Sequence, residues 1–243
     1  MKALCIYNDF HHPGALVKNG LEEFAPPEIS IEFTDAEDGI PTDFPTNCGI
    51  LILSKANMTA SDKETSWVTR DWEIHIRDFV ENGGMLLAVH SGIAGYEKGG
   101  IMGNLLGGTF KWHPEICDVS YRGSIKIGRT GIGSVDFTCR DEHYFVDVFN
   151  KDAEIFLTSE SRHGRQPAGW ICNIERGRVV VLTPGHTLEV WNHPVFRKMI
   201  LQALQTKKKA APAALSPRQK NATAEKPNNP SRKSSMTDRT SGA

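Results

Sequence analysis

Five consecutive apolar residues, Met85-Leu86-Leu87-Ala88-Val89, lie between Gly83-Gly84 and the small-residue turn His90-Ser91-Gly92. This reads as a buried strand that ends abruptly. In a parallel α/β sheet such a turn lifts its tip side chain above the sheet edge, where ligands bind and chemistry is done. The tip here is His90, and an imidazole suits proton transfer or metal ligation better than covalent attack. A turn-tip side chain contributes little packing, so His90→Ala is expected to leave the fold intact.

The first half repeats the pattern. Lys2–Tyr7, Ile29–Asp35 and Cys48–Ser54 are further short β-rich runs, and an amphipathic stretch from Ser61 to Asn82 separates the last of these from Met85–His90. Val68, Trp72, Ile76, Phe79 and Val80 form its apolar stripe, Ser61 with Glu64 supplies a capping signal, and Gly83-Gly84 a stop. His75 falls on the same stripe and reads as a packed core histidine. The second half changes character: Val119–Ile127, Ser134–Cys139, Ala153–Ser159, Gly169–Ile174 and Arg178–Thr183 read as strands. A turn at Glu175-Arg176-Gly177 joins the last two, and a helix from Pro194 to Leu204 closes the domain. The expected fold is a three-layer α/β/α flavodoxin-like sandwich with an antiparallel β extension.

Composition bounds the rest. With 39% apolar and 23% charged residues in 243, the chain suits one well-buried core. No run approaches the ~18 apolar residues of a membrane helix, and the N-terminus reads as a strand rather than a signal peptide, so a cytoplasmic protein without membrane contact is expected. Cys5, Cys48, Cys117, Cys139 and Cys172 are far apart and form no C-x-x-C pair, which argues for reduced thiols and against a zinc knuckle or disulfide framework. Charge is uneven: residues 207–243 hold nine Lys/Arg against two acids, leaving residues 1–206 a net −8. The C-terminal segment has almost no large apolar side chain to offset its ordering entropy and is expected to be a disordered, solvated basic tail. Without interleaved aromatic residues it is not expected to bind nucleic acid.

Polar residues gather where strands run into loops. Asp9, His11 and His12 follow the first run, His90 and Ser91 the fourth, and then come Trp112-His113-Pro114-Glu115, Asp141-Glu142-His143-Tyr144 and Gly185-His186-Thr187. Each alone is weak, since a loop histidine is usually just exposed and an Asp-Glu pair is commonly a helix start. Their number suggests one shared pocket.

The series His90-Ser91-Gly92, Gly107-Gly108-Thr109-Phe110-x-x-His113-Pro114-Glu115, Asp141-Glu142-x-Tyr144, Gly177-Arg178-Val179 and Gly185-His186-Thr187 resembles the ThuA-like (trehalose-utilisation) family over about residues 1 to 205. The resemblance implies a class I glutamine amidotransferase-like fold and a role in disaccharide catabolism beside sugar dehydrogenases acting on 3-keto-glycosides. Amidotransferases carry a nucleophilic cysteine in a G-x-C-x-G elbow, and Ala88-Val89-His90-Ser91-Gly92 has a histidine there instead. Glutamine hydrolysis through a thioester is therefore not expected, and Ser91, lacking the flanking glycines, reads as a hydrogen-bonding or capping group. The family pattern is also broken at His143, where tryptophan is frequent, and at Arg165-Gln166-Pro167, where histidine before proline is frequent.

Cleavage of a 3-keto-glycoside by elimination needs a base beside the carbonyl, an electrophile for the enolate and an acid for the departing oxygen. His90 is assigned acid/base work, with Asp141 and Glu142 as partner base or orienting groups. His113, Glu115 and His186 are candidate ligands for a divalent metal ion, or, for the histidines, direct hydrogen-bond donors. His12, Ser91, Trp112, Tyr144 and Thr187 are candidate substrate contacts, with Trp170 and Trp191 read either as sugar-facing walls or as core. The expected ligand is a small-molecule carbohydrate. Partners left open are a sugar dehydrogenase of the same pathway and a second copy of the chain. The rival reading is a non-catalytic sugar- or metabolite-binding module on the same scaffold. What separates the two is whether His90 and Asp141-Glu142 meet in one solvent-connected cleft.

Overall fold

The computed structural model describes residues 1–37, 39–41, 44, 48–125 and 133–205. The expected basic tail therefore lies outside the described residues, as do positions 126 and 127 of the strand expected over Val119–Ile127. The chain builds β1 (Lys2–Tyr7), α1 (Gly14–Phe24), β2 (Ser30–Thr34), β3 (Cys48–Ser54), α2 (Arg70–Glu81) and β4 (Met85–Val89). A 3-10 turn at His90–Ile93 leads to α3 (Ile101–Leu106). Then follow β5 (Gly108–Trp112), β6 (Cys117–Ile125), β7 (Gly133–Asp141), β8 (Phe145–Val148), β9 (Glu154–Ser161), β10 (Gly164–Ile174), β11 (Gly177–Leu182), α4 (Leu188–Asn192) and α5 (Pro194–Gln205).

Nine strands form one sheet in the order β2-β1-β3-β4-β11-β10-β9-β6-β7. The first five are parallel, in the doubly wound 2-1-3-4-5 arrangement, and β10, β9, β6 and β7 extend the sheet antiparallel. Alternation along each strand divides the core into two layers. Ala3, Cys5, Ile50, Ile52, Leu87, Val89, Val180 and Leu182 face α1, α4 and α5. Leu4, Ile6, Leu51, Leu53, Leu86, Ala88, Val179 and Val181 face α2 and α3. Strands buried on both faces must be apolar throughout, which is why Met85–Val89 carries no polar residue. Among the described residues no helix is long and apolar enough to cross a membrane.

Two local expectations give way. The amphipathic stretch is helical only from Arg70, where Thr69 Oγ1 accepts the backbone N–H of Trp72 at 3.3 Å. Upstream, Asp62 accepts from Glu64 N and Thr65 Oγ1 while Thr59 Oγ1 and Asp62 bond reciprocally, so side chain to backbone bonding takes the place of a first helical turn. His75 is exposed, its ring edge-on to Trp72, because the buried stripe is narrower than expected and consists of Ile76, Phe79 and Val80. A further element escapes the sequence reading: β5 and β8 pair as a separate two-stranded sheet.

The β3–β4 junction is tight enough to test. A Cβ on Gly92 would lie 2.0 Å from the carbonyl oxygen of Leu53, a backbone atom that cannot step aside. Gly92→Ala should therefore cost several times the ~1 kcal/mol typical of unsuiting a glycine position. Gly99→Ala, strained by φ +88° but facing open space, should stay near that figure in denaturant titration. Equal losses in the two variants would contradict the packing described.

Candidate functional site

The strand order reverses between β1 and β3, and a doubly wound sheet opens a crevice outside the carboxyl ends of the strands at such a point. Four of the motif segments end there. The loop after β1 brings Asp9 and His12, the turn after β4 brings His90, and the loop after β11 brings His186. Glu142 arrives from the end of β7, in the antiparallel extension.

His90 sits at φ +49°, the left-handed region where a non-glycine side chain is uncommon. Its Nδ1 lies 2.8 Å from the Thr183 carbonyl, which can only accept, so Nδ1 carries the proton and Nε2 presents a lone pair. His12 is held the same way. Asp9 Oδ1 accepts from His12 Nδ1 at 2.8 Å and from the His11 and His12 backbone N–H groups, and Asp9 Oδ2 accepts from Ala56 N. Fully buried Lys55 donates to the carbonyl of Asn8, itself at φ +70°, and lies 3.3 Å from Glu37 Oε1. Together these contacts tie the loop after β1 to the loop after β3.

Glu142 is the hub. Its Oε2 lies 3.3 Å from His90 Nε2, 3.3 Å from His186 Nδ1 and 3.9 Å from His12 Nε2. Its Oε1 lies 3.5 Å from His113 Nε2. The rings of His12, His90 and His186 form a near-equilateral triangle, with centroids 5.0, 5.2 and 5.4 Å apart. The four facing atoms, His12 Nε2, His90 Nε2, His186 Nδ1 and Glu142 Oε2, are buried and none has a hydrogen-bond partner. A cavity of about 230 Å³ adjoins the three histidines, walled on its other side by Pro13, Leu16 and Val17 of the α1 start. Buried Ser91 borders it as well, with an unpartnered Oγ.

Electrostatics separates the roles. Burial disfavours charge on His12, but the Asp9 hydrogen bond and the Glu142 carboxylate outweigh it and bring its pKa up to about 9. Burial dominates at His90, which falls to about 4 and is neutral at pH 7. His186 is also lowered by burial, against the pull of Glu142. Glu142 is half-desolvated, yet the surrounding histidines hold it well below the usual carboxylate range.

Several sequence-assigned residues have other places. Asp141 is fully buried and turned away from the cluster: it accepts from Gly185 N at 3.0 Å, His186 N at 2.9 Å and Tyr121 Oη at 2.8 Å. It positions the His186 loop. Burial pushes its pKa up to about 7, although every partner named is a donor and suits the ionised form. Glu115 is exposed and outside the cluster, and His113 reaches only the outer oxygen of Glu142, so the grouped donors are His12, His90, His186 and Glu142 rather than His113, Glu115 and His186. Thr187 donates to the Arg140 carbonyl and caps α4 through Val190 N. His143 is buried between Ser159 and Ser161 of β9. Trp170 and Trp191 are core residues, with indole N–H groups on the carbonyls of Leu106 and Gly185. Trp112 is 49% exposed and stacks on Phe145 with centroids 4.2 Å apart. Tyr144 packs its ring 4.2 Å from that of His90. His90 itself is only 1% exposed, so its side chain does contribute packing, contrary to the expectation for a displayed turn tip. Lys55, Tyr121 and Thr183 were not singled out by the sequence, and Asp9 was noted there without a role. For Asp9 the D-x-x-H spacing to His12 after a strand was the available signal; the others depend on contacts between distant segments.

The division between positioning and functional carboxylates has a measurable consequence. Asp141→Ala strands three buried donors and should cost about 3 kcal/mol or more, since each unsatisfied group costs roughly 1–3 kcal/mol. Glu142→Gln forfeits the attraction between the carboxylate and the surrounding histidines but leaves no backbone donor unpaired, and in urea titration it should cost less than Asp141→Ala. A reversed ranking would mean that the two neighbours have been assigned each other's jobs.

Comparison with known proteins bears on this geometry. The family described as ThuA, trehalose utilisation, matches residues 49–205. A putative ThuA-like protein from Bacteroides uniformis is 17% identical, with 85% of this chain and 90% of that one covered at a TM-score of 0.64. A putative ThuA-like protein from Parabacteroides merdae is 12% identical, with 85% and 89% covered at 0.68. The β-galactosidase from Rahnella sp. R3 shares the fold over 31% of its own length, covering 86% of this chain with 13% identity and a TM-score of 0.60. No curated protein matches the chain. The matched segment holds four of the five cluster residues, His90, His113, Glu142 and His186, and on that profile the chain belongs to the ThuA family of trehalose utilisation.

Proposed function

We propose that this protein is a carbohydrate-catabolism enzyme that cleaves 3-keto-glycosides, disaccharides among them, by acid-base elimination. The observation that carries the reading is the convergence of His12, His90, His113, His186 and Glu142, from five separate segments, on one cleft with an adjoining cavity. A sugar dehydrogenase would supply the keto substrate.

The chemistry fits the two sides of Glu142. On its inner side, His12, kept charged by Asp9, turns its Nε2–H toward the space where the ketone oxygen and the negative charge of the enolate would lie, beside neutral His90. On its outer side, exposed His113 donates from Nδ1 to the Pro114 carbonyl and turns Nε2, the nitrogen left to handle protons, toward Oε1. His113 takes the proton from the carbon next to the ketone, and the electron pair left behind makes the enolate. As that pair closes a carbon–carbon double bond toward the anomeric carbon, the glycosidic C–O bond breaks, and the departing oxygen receives the proton from His113. Glu142 and the Pro114 carbonyl keep the imidazole oriented. The Trp112–Phe145 stack, at the end of the strand that precedes His113, offers an apolar face for a second sugar ring. No cysteine stands at the elbow, so the amidotransferase reaction has no nucleophile here.

The test is turnover of 3-keto-disaccharides. His90→Asn, a residue that tolerates the positive φ, should lower kcat/KM by about 10²-fold or more while circular dichroism stays unchanged. His113→Ala should lower kcat by a similar factor, and a double variant with Glu142→Gln should be non-additive, because the two side chains form one proton-transfer unit. A parent protein that binds such sugars but converts none of them would return the fold to a binding role.

A further inference from the structure

We infer that His12, His90, His186 and Glu142 are the ligands of a bound divalent first-row transition ion, zinc being the ion best matched by three imidazoles and one carboxylate. The inference rests on where the four ligating atoms point, and it stands apart from the keto-glycoside reading.

His12 Nε2, His90 Nε2, His186 Nδ1 and Glu142 Oε2 all lie within 4.8 Å of one another. On two of the rings the other nitrogen is already committed. His90 Nδ1 donates to the Thr183 carbonyl and His12 Nδ1 to the Asp9 carboxylate, which are the outer partners that metal-bound histidines commonly have. Each arrangement fixes the ring and turns Nε2 inward, as a lone pair on His90 and, on His12, as the nitrogen whose proton a metal ion would displace. A lone pair and a carboxylate oxygen facing each other in a buried space repel, and burying them costs free energy unless something positive lies between them.

Protons fill that role poorly. The His12 to Glu142 separation of 3.9 Å is too long for a hydrogen bond, and at 3.3 Å neither His90 nor His186 makes one with Glu142 Oε2. Those spacings suit coordination instead. Donors about 2.0–2.1 Å from one tetrahedral ion are roughly 3.3–3.4 Å apart, close to the two shorter distances observed. The donor set selects the ion: imidazole nitrogen suits zinc, iron, nickel or copper, whereas calcium and magnesium take oxygen ligands. The three histidines border the 230 Å³ cavity, so a water or a substrate oxygen has room beside the ion.

The test is metal content without any substrate. The full-length protein, purified without chelator or histidine tag, should carry about one equivalent of zinc or a neighbouring first-row ion by elemental analysis. After stripping, it should rebind Zn²⁺ in calorimetry with a rise in Tm. Cobalt(II) should give visible bands of low-coordinate geometry. His12→Ala and Glu142→Ala should abolish stoichiometric binding, and Asp9→Asn, which replaces the carboxylate behind His12 with a neutral amide and also alters its bond to Ala56 N, should weaken it by about 10- to 100-fold. Glu115→Ala, at an exposed position outside the cluster, should bind as the parent does. Circular dichroism establishes that each variant is folded, and the conservative Glu142→Gln serves if the alanine variant is not. Absence of stoichiometric metal in the parent together with no zinc-dependent Tm change would overturn the inference, as would undiminished binding in the His12 and Glu142 variants. Because no sugar enters the measurement, a metal-loaded protein inactive on keto-glycosides would count against the proposed function alone.

Discussion

One buried carboxylate holds the two halves of this molecule in register. Asp141 ends β7 in the antiparallel extension, and its oxygens accept the Gly185 and His186 backbone N–H groups from the loop that leaves β11 in the parallel core. Tyr121 on β6 donates its hydroxyl to the same carboxylate. Charge-assisted bonds to backbone N–H groups are among the stronger ones a protein makes, and a buried carboxylate left with fewer donors would be costly. The clamp sets the position of its neighbour Glu142 as well as that of His186. The hub of the cleft and one of its histidines are thus fixed by a residue that faces neither substrate nor cavity.

The parallel core supplies the other two inner histidines through strained or tethered backbone. His90 keeps a positive φ because β4 ends against β3, where Gly92 leaves no room beside Leu53, and because Thr183 fixes its ring. His12 is held by Asp9, which in turn is bonded across to Ala56 after β3, with Lys55 behind it on the Asn8 carbonyl. Strain and buried charge of this kind lower stability locally, and the apolar layers on both sides of the sheet offset them. The outcome is a preorganised array: neutral His90, a strongly acidic Glu142 and a His12 biased toward charge by Asp9. Groups of one kind are driven to different protonation states by their surroundings, which is how one pocket can offer both an acceptor and an electrophile.

Periodicity and punctuation in the chain were sufficient for the parallel core. β1 and β3 run over the residues their composition marks, and β4 ends one residue before its histidine, because strands buried on both faces must be apolar and must stop where polar residues begin. The position of a histidine at the end of β4 and the gathering of histidines after β1 and β11 follow from the same rule. The short pairing of β5 with β8 was not legible, since its residues are close only because the antiparallel extension folds back past α3. The start of α2 was misread because turn bonding around Asp62 competes locally with the helix.

The sequence by itself determined which residue types stand at which strand ends, and hence that histidines and carboxylates border one edge of a doubly wound sheet. Only the tertiary structure decided what each does there. Asp141 and Glu142 are adjacent and both acidic, but one turns inward to backbone donors and the other outward to four imidazoles, and nothing in their composition distinguishes them. His113-Pro114-Glu115 has the spacing of a ligand pair, yet the cluster forms from His12, His90, His186 and Glu142, residues up to 174 positions apart, whose meeting depends on strand order. Side-chain direction at a strand end is set by register and by the neighbouring loop, which are long-range properties, while residue identity is local.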